Sequence, residues 1–278
     1  MADSNPIALT VLGSAGAYRT HDGSRASGYL VQHGATSIVL DLGHGTFAPL
    51  AAQIGISALP QISAVAISHL HPDHWVDLAA LRHALVHGNK MGADARSVVV
   101  ISPSGLASRL ATMLDDRTPE EQAAGARDSL QPFAFSTWRS DPALPPLGGG
   151  RVLSVGSLMV QSARVRHTGE SYALRIALPD QPGLTYSGDV SHWEDLAAIV
   201  RPSDTLLCEA AGGAEQWREG DTHITAYGAG KAAASAGATR LLLTHFGAEV
   251  DPAEAVRAAA TEFSGEIVAV REGDRFEI

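Results

Sequence analysis

Cysteine is almost absent: Cys208 is the only one in 278 residues. A lone thiol cannot close an internal disulfide, which suits a reducing compartment. Lysine is nearly as scarce, with Lys90 and Lys231 set against 18 arginines. Acidic residues outnumber basic ones 30 to 20, for a formal net charge of −10. No cluster of basic residues breaks this balance, so the electrostatic footprint of a nucleic-acid binder is missing. No run of 18 apolar residues occurs, which excludes a membrane-spanning helix. The opening residues Met1-Ala2-Asp3-Ser4-Asn5-Pro6 carry neither a basic nor an apolar stretch. No signal peptide is therefore expected, and the sequence reads as a soluble, cytoplasmic protein.

What remains is ordinary globular material, 45% hydrophobic and 18% charged. The length suits one large domain or two small ones. Such a chain buries about three quarters of its unfolded surface without staples. The oddity is histidine, of which there are 12. Histidine is the commonest metal ligand and the acid–base group closest to neutral pH, so their placement matters.

Short apolar runs alternate with helical stretches along the chain. Strands are expected at 7–12, 29–32, 37–41, 64–68, 98–101, 151–154, 158–166, 173–178, 184–187, 205–208, 241–244, 267–271 and 276–278. Helices are expected at 47–54, 75–87, from Pro103 to Leu114, and at 193–200, 226–236 and 252–263. Residues 115–150 are the least regular part and read as an insertion, either a lid over a site or a plain spacer. No linker marks a domain boundary, so residues 1–278 are taken as a single domain. Two groups of strands flanked by helices imply an α/β fold of four layers, an αββα sandwich.

The segment Ser68-His69-Leu70-His71-Pro72-Asp73-His74 concentrates three histidines and a carboxylate between a buried strand and a helix. His69 and His71 can converge on one ion, while Asp73 and His74 can face a second. Neutral imidazole with carboxylate suits Zn²⁺, Mn²⁺ or Fe²⁺.

This H-x-H-x-D-H run resembles the signature of the metallo-β-lactamase superfamily, and the resemblance extends along nearly the whole chain. It implies that later strand ends supply a histidine, a bridging aspartate and a last histidine. His167 in Val165-Arg166-His167-Thr168, Asp189 in Tyr186-Ser187-Gly188-Asp189 and His245 in Leu243-Thr244-His245-Phe246 stand at matching places. The implied assignment puts His69, His71 and His167 on one metal, and Asp73, His74 and His245 on the other. Asp189 bridges the two. Paired ions of this kind clamp both the attacking and the leaving oxygen of a displacement and acidify the water between them. Asp73 is also expected to orient that water.

The stretch Asp221-Thr222-His223-Ile224-Thr225-Ala226, ahead of a small-residue helix, resembles the ribonuclease Z-like branch of the superfamily. There the matching histidine protonates the leaving group of a phosphodiester, a role this resemblance gives to His223. Glu209 matches the acidic position of the branch's His-Glu-Ala-Thr motif, although Cys208 stands where the branch has histidine. Glu209 either orients His223 or caps a turn. His44, Ser171 and Tyr172 are candidate substrate contacts, and Gly13–Gly16 is a weak candidate phosphate loop. His83 and His87, four apart on a helix, could share an ion, although a surface place or the lip of the substrate site fits them better. His192 is a further possible substrate neighbour. His21 and His33 are expected to be solvated.

Ribonuclease Z enzymes that trim transfer RNA carry a long arm between the third histidine and the bridging aspartate. Here His167 and Asp189 are 22 residues apart, enough for two strands and a turn. With the acidic charge balance, this argues against tRNA processing. The pattern is similar to ribonuclease Z-like proteins proposed as atypical cyclic-nucleotide phosphodiesterases. The first expectation is thus a two-metal phosphodiesterase acting on a small diester such as cAMP. A tRNA 3′-end endonuclease is second. A thioester or lactone hydrolase is third, weakened because the chain reads His167-Thr168-Gly169-Glu170-Ser171 without a second histidine. A metal-holding protein without turnover is a fourth reading, opposed by the full ligand set. Relatives of this branch often dimerise, so a homodimer is possible.

Overall fold

The structure is a computed structural model that describes residues 5–17, 23–88, 97–123, 130–214 and 218–278. Its first sheet holds β1 (Ala8–Gly13), β2 (Gly28–His33), β3 (Thr36–Leu42), β4 (Ala64–Ala66), β5 (Val98–Ser102) and β6 (Phe133–Thr137), with β14 (Arg275–Glu277) added beside β1. The second holds β7 (Val152–Val155), β8 (Leu158–Val165), β9 (Ser171–Ala177), β10 (Gly183–Tyr186), β11 (Thr205–Glu209), β12 (Arg240–Thr244) and β13 (Glu266–Ala269). Both sheets follow one scheme. An antiparallel meander, β1-β2-β3 or β7-β8-β9-β10, continues into a parallel run, β3-β4-β5-β6 or β10-β11-β12-β13.

Period-2 alternation separates the layers. On β2, Tyr29 and Val31 face the other sheet while Leu30 faces helices; on β12, Leu242 faces inward while Leu241 and Leu243 face helices. The inter-sheet core joins Leu9, Ile38 and Leu40 to Leu158, Leu174, Ile176 and Leu207. Outside the first sheet lie α1 (Phe47–Ile54), α2 (Leu78–His83) and α3 (Leu106–Leu114), whose Leu50, Leu81 and Leu110 cover Val39, Val65 and Val100. A short α4 (Pro119–Ala123) follows. Outside the second sheet lie α5 (Ala226–Ala236) and α6 (Pro252–Ala259), packed on Leu206, Leu241 and Leu243. The sandwich is therefore four-layered, αββα.

Sequence signals explain the helix ends. Thr225 accepts a hydrogen bond from the Gly228 N–H, and Gly237 closes α5 in the left-handed region. Asp251 caps α6, with Pro252 in its first turn.

Four expectations need correction. The helix expected at 75–87 is instead a 3₁₀ turn (Pro72–His74), α2, and a π-helical turn (Ala84–Gly88). The helix expected at 193–200 is a 3₁₀ helix, Trp193–Ala198, and α6 stops at Ala259. Within 115–150, residues 133–138 are neither lid nor spacer: β6 pairs in parallel with β5, and Trp138 is fully buried, donating its indole N–H to the Ile67 carbonyl at 2.7 Å. The Pro- and Gly-rich surroundings hid a strand whose pairing partners lie 35 residues upstream, Val98 opposite Phe133.

Candidate metal centre and active site

Parallel pairing puts the C-terminal ends of β3 and β4 side by side, and likewise those of β10, β11 and β12. β8 runs in the same direction as β10, since both are antiparallel to β9. Each loop that carries a candidate metal ligand leaves one of these ends. A backbone hydrogen bond from Tyr172 N to the Ser68 carbonyl, 3.0 Å, ties the first sheet's loop to the second sheet.

The loop after β4 turns at Pro72, which follows His71 at the start of a 3₁₀ turn. Gly43, after β3, allows close passage: a Cβ there would collide with the Asp73 carbonyl. His245 adopts a left-handed backbone, φ 52°, immediately after β12. This is uncommon for a non-glycine residue and is characteristic of functional turns.

These turns bring seven side chains into two abutting groups. His69, His71, His167 and Asp189 form one, and Asp73, His74 and His245 form the other. His69 Nε2 and His167 Nε2 each lie 3.6 Å from Asp189 Oδ2, and His167 Nε2 lies 3.2 Å from His71 Nδ1. On the other side His74 Nε2 is 3.4 Å from Asp189 Oδ1 and 3.6 Å from Asp73 Oδ2, and His245 Nε2 is 3.3 Å from Asp189 Oδ2. Donors held about 2.0–2.1 Å from one tetrahedral ion stand about 3.4 Å apart, so the spacing matches a shared cation on each side.

Among the described residues, His69 Nε2, His74 Nε2 and Asp189 Oδ1 are buried without a hydrogen-bond partner. Unpaired buried polar atoms are costly and demand an explanation. Bound divalent metal would supply one, since these atoms belong to the groups that could hold it. The donor set of imidazole nitrogen and carboxylate oxygen fits such ions.

The electrostatics divide the rings: three are held neutral, whereas for His74 burial works against charge but Asp189 and Asp41 outweigh it and raise its pKa well above the usual value. Burial pushes the His69 pKa down, with the neighbouring His74 adding to the effect. Burial likewise lowers His245, to about 4, and lowers His167. Neutral imidazoles are what a metal needs. Burial opposes charge on Asp189, but His245, His74 and His69 outweigh it and hold the carboxyl ionised.

A second layer of partners orients these rings. Asp41, ending β3 with φ 51°, accepts from Ser68 N, Ser68 Oγ, His74 Nδ1 and Tyr186 OH, each at 2.7 Å. Holding the Nδ1 proton of His74 leaves its Nε2 lone pair facing the gap. His167 Nδ1 donates to the Thr222 carbonyl at 2.8 Å, and His245 Nδ1 lies 2.8 Å from Ser27 Oγ. Sequence reasoning missed Asp41, Ser27 and Tyr186. The available signal was an acid closing a strand beside the one that leads to His69.

His223 lies outside the two clusters. Its Nδ1 donates to Glu209 at 2.9 and 3.1 Å and lies 3.8 Å from Asp189 Oδ2. Glu209 is fully buried at the end of β11 and also accepts from Val190 N at 2.7 Å. Burial raises Glu209 to about 7 against the pull of His223. For His223, burial works against charge, but Glu209 prevails and raises it to about 9.

A cavity of about 640 Å³ opens over the clusters, lined by His71, Asp73, Asp189, His223 and His245 together with His44, Gly16 and Ala17. His44 is thus placed at the cavity wall. Ser171 and Tyr172 are not. Ser171 is fully buried and its Oγ bonds to Thr168, 2.7 Å away. Tyr172 packs in the inter-sheet core, with its hydroxyl on Glu170. β9 begins two residues earlier than expected, so these are strand positions and not loop contacts. His192 bonds to Ser191 Oγ and does not line the cavity. His33 is buried against Ser157 and not solvated, while His21 lies outside the described residues.

Comparison with known proteins agrees with this architecture. Residues 36–246 match the model of the Beta-lactamase superfamily domain. An uncharacterised protein of Mycobacterium leprae is 31% identical over 274 residues, 98% of this chain and 89% of that one. The probable metallo-hydrolase YhfI of Bacillus subtilis is 25% identical over 268 residues, 95% of this chain and 97% of its own. Its crystal structure superposes with a TM-score of 0.79, covering 99% and 100% of the two chains at 23% identity. Human tRNase Z, short form, gives 0.69 at 19% identity (98% and 99% covered), and a diphosphatase from the PhnP family gives 0.68 at 18% (98% of each). The chain belongs to the beta-lactamase superfamily. Within it, this protein is a metallo-hydrolase, with His and Asp clusters suited to divalent metal.

Proposed function

We propose that this hydrolase is a phosphodiesterase acting on a small diester, with a cyclic nucleotide such as cAMP as the leading candidate. The observation that carries the reading is His223: an imidazole on the cavity wall, outside the two clusters described above, anchored through Nδ1 by a buried carboxylate and beside Asp189.

In this reading His69, His71 and His167 hold one ion, Asp73, His74 and His245 the other, and Asp189 both. Zinc suits the donors best, with manganese or iron as alternatives. When bound, such a pair supplies charge stabilisation at phosphorus and acidifies a water toward neutral pH.

The chain's own groups do the rest. Asp73, at the cavity, accepts a hydrogen bond from the attacking water and aims it. Glu209 keeps the Nδ1 proton of His223 in place, so that Nε2 is the atom presented to substrate. Nε2 gives its proton to the departing alkoxide, the role of a general acid. His44 contacts the diester from the wall it shares. A cavity of this volume suits one nucleotide-sized molecule.

The span between His167 and Asp189 is filled by β9, β10 and their turn, leaving no room for an RNA-gripping arm. The low lysine content points the same way. The single cysteine favours a cytoplasmic setting, where thiols stay reduced. A homodimer fits the resemblance stated above.

The test is a substrate panel on metal-loaded protein: cyclic nucleotides, dinucleotides, an aryl phosphodiester and precursor tRNA. Hydrolysis of a cyclic nucleotide with no cleavage of precursor tRNA supports the proposal. Cleavage of precursor tRNA at its 3′ end, with cyclic nucleotides untouched, replaces it with the ribonuclease Z activity. Turnover of thioesters or lactones alone removes phosphodiester chemistry.

A further inference from the structure

His167 stands in a short turn, 166–170, between β8 and β9. An ion pair grips each end of that turn, and none of the four residues involved belongs to the two ligand clusters.

At the first end, Arg166 is held through backbone and side chain alike. Its N–H donates to Asp195 Oδ2 at 2.8 Å, and its Nε and Nη2 reach both oxygens of the same carboxylate at 2.6–3.1 Å. Its carbonyl accepts from Ser191 N at 2.7 Å and from Ser191 Oγ at 2.9 Å. Ser191 stands two residues after Asp189, and Asp195 lies in the 3₁₀ helix that follows. The residue before His167 is therefore tied to the segment after Asp189. His167 Nε2 and Asp189 Oδ2 stand 3.6 Å apart beside this tie.

At the other end, Glu170 Oε2 accepts from Arg139 Nη2 at 2.6 Å, and its Oε1 accepts from the Tyr172 hydroxyl at 3.1 Å. Arg139 directly follows Trp138, whose indole is fixed to the Ile67 carbonyl ahead of His69. The same strand end thus braces the His69 loop and the His167 turn. Packing does not hold the turn at Gly169, where a Cβ would meet nothing within 4 Å. A guanidinium fork on a carboxylate fixes direction as well as distance.

We propose that Asp195 and Arg139 are positioning residues for the first metal position. They hold the 166–170 turn so that His167 closes the group it forms with His69, His71 and Asp189. Cutting either clamp should loosen the ion at that group and spare the one at Asp73, His74 and His245. The inference rests on the two-position reading of the ligands and is independent of the substrate cleaved.

The experiment titrates metal-free full chain with Co²⁺ against a competing chelator and follows the Co²⁺ absorption bands. Wild type should take up two ions, and His167→Ala identifies the bands of the first. Asp195→Asn and Arg139→Gln should each weaken that same ion about 10–100-fold, with the second ion bound as in wild type. The two substitutions remove charges of opposite sign. A plain charge effect on a bound cation would move the affinities in opposite directions, whereas lost positioning weakens both. Affinities unchanged in both variants, shifted in opposite directions, or weakened equally at both positions overturn the proposal. Fewer than two ions on the wild type removes the two-position reading, and the clamp with it. Should Asp195→Asn not fold, Arg139→Gln carries the test, because that side chain is 23% exposed and its pair lies at the sheet edge. A weakened second ion or an undiminished first ion in Arg139→Gln then overturns the proposal.

Discussion

Asp41 Oδ2 accepts the Nδ1 proton of His74 at 2.7 Å, and both side chains are fully buried. The same oxygen accepts from Tyr186 OH and Ser68 Oγ, while Oδ1 takes the Ser68 N–H. One carboxylate at the end of β3 thus sets the ring of His74, the start of the 69–74 loop and a tyrosine from the second sheet. An ionised carboxylate is suited to this because it has acceptors and no donor.

Asp41→Asn should test how far the centre depends on this anchor. Asparagine tolerates the left-handed backbone found there, so the chain should fold. One amide end would then meet donors with a donor of its own. Affinity for the ion held by Asp73, His74 and His245 is expected to fall about 10–100-fold, measured by chelator competition. Unchanged affinity would show that His74 is oriented without Asp41.

Asp189→Ala should lower the metal content at both positions, because its two oxygens face both clusters. Metal analysis after gel filtration reads this directly. Two ions retained per chain would remove the bridging role.

His223→Ala should keep both ions and lose about 10²–10⁴ in kcat with an alkoxide leaving group. With a p-nitrophenyl diester, whose leaving group departs without a proton, the loss should be small. Equal losses on both substrates would reassign His223 to binding. Glu209→Gln should follow the same leaving-group pattern more weakly, since Glu209 acts through His223.

Chelation should abolish hydrolysis and lower Tm, with both restored by divalent metal. A ligand bound only by the folded state at 100 times its Kd adds about 2.7 kcal/mol of stability. Calorimetry with and without chelator gives the comparison, and identical curves would mean that no ion is held in the native state.

Trp138→Ala addresses the fold. This side chain is fully buried and bonds to the Ile67 carbonyl just before the metal loop. Denaturant unfolding should show a loss of about 3–5 kcal/mol. A loss under 1 kcal/mol would return this segment to the status of a spacer.

Local signals were enough for much of the fold. Helix Ala226–Ala236 is bounded as its Thr225 and Gly237 predict, and the strands that carry His167, Asp189 and His245 stand within a few residues of their apolar runs. Errors arose where the answer depended on a distant partner. β6 looked irregular because its hydrogen-bonding neighbour is β5 and its anchor is the Ile67 carbonyl. Ser171 and Tyr172 looked available because a strand's facing cannot be read from a loop's edge.

The sequence by itself determined the chemistry on offer: a dense histidine–aspartate run, later histidines and an aspartate at strand ends, and no run of basic residues. Those properties are local, being residue types and their spacing. Tertiary structure decided which of them meet. The C-terminal ends of β4, β8, β10 and β12 converge, Asp41 and Ser27 become supports for the His74 and His245 rings, and Glu209 is buried beneath His223. Sheet pairing and burial set these relationships over separations of up to 218 residues, as between Ser27 and His245. No window along the chain contains them.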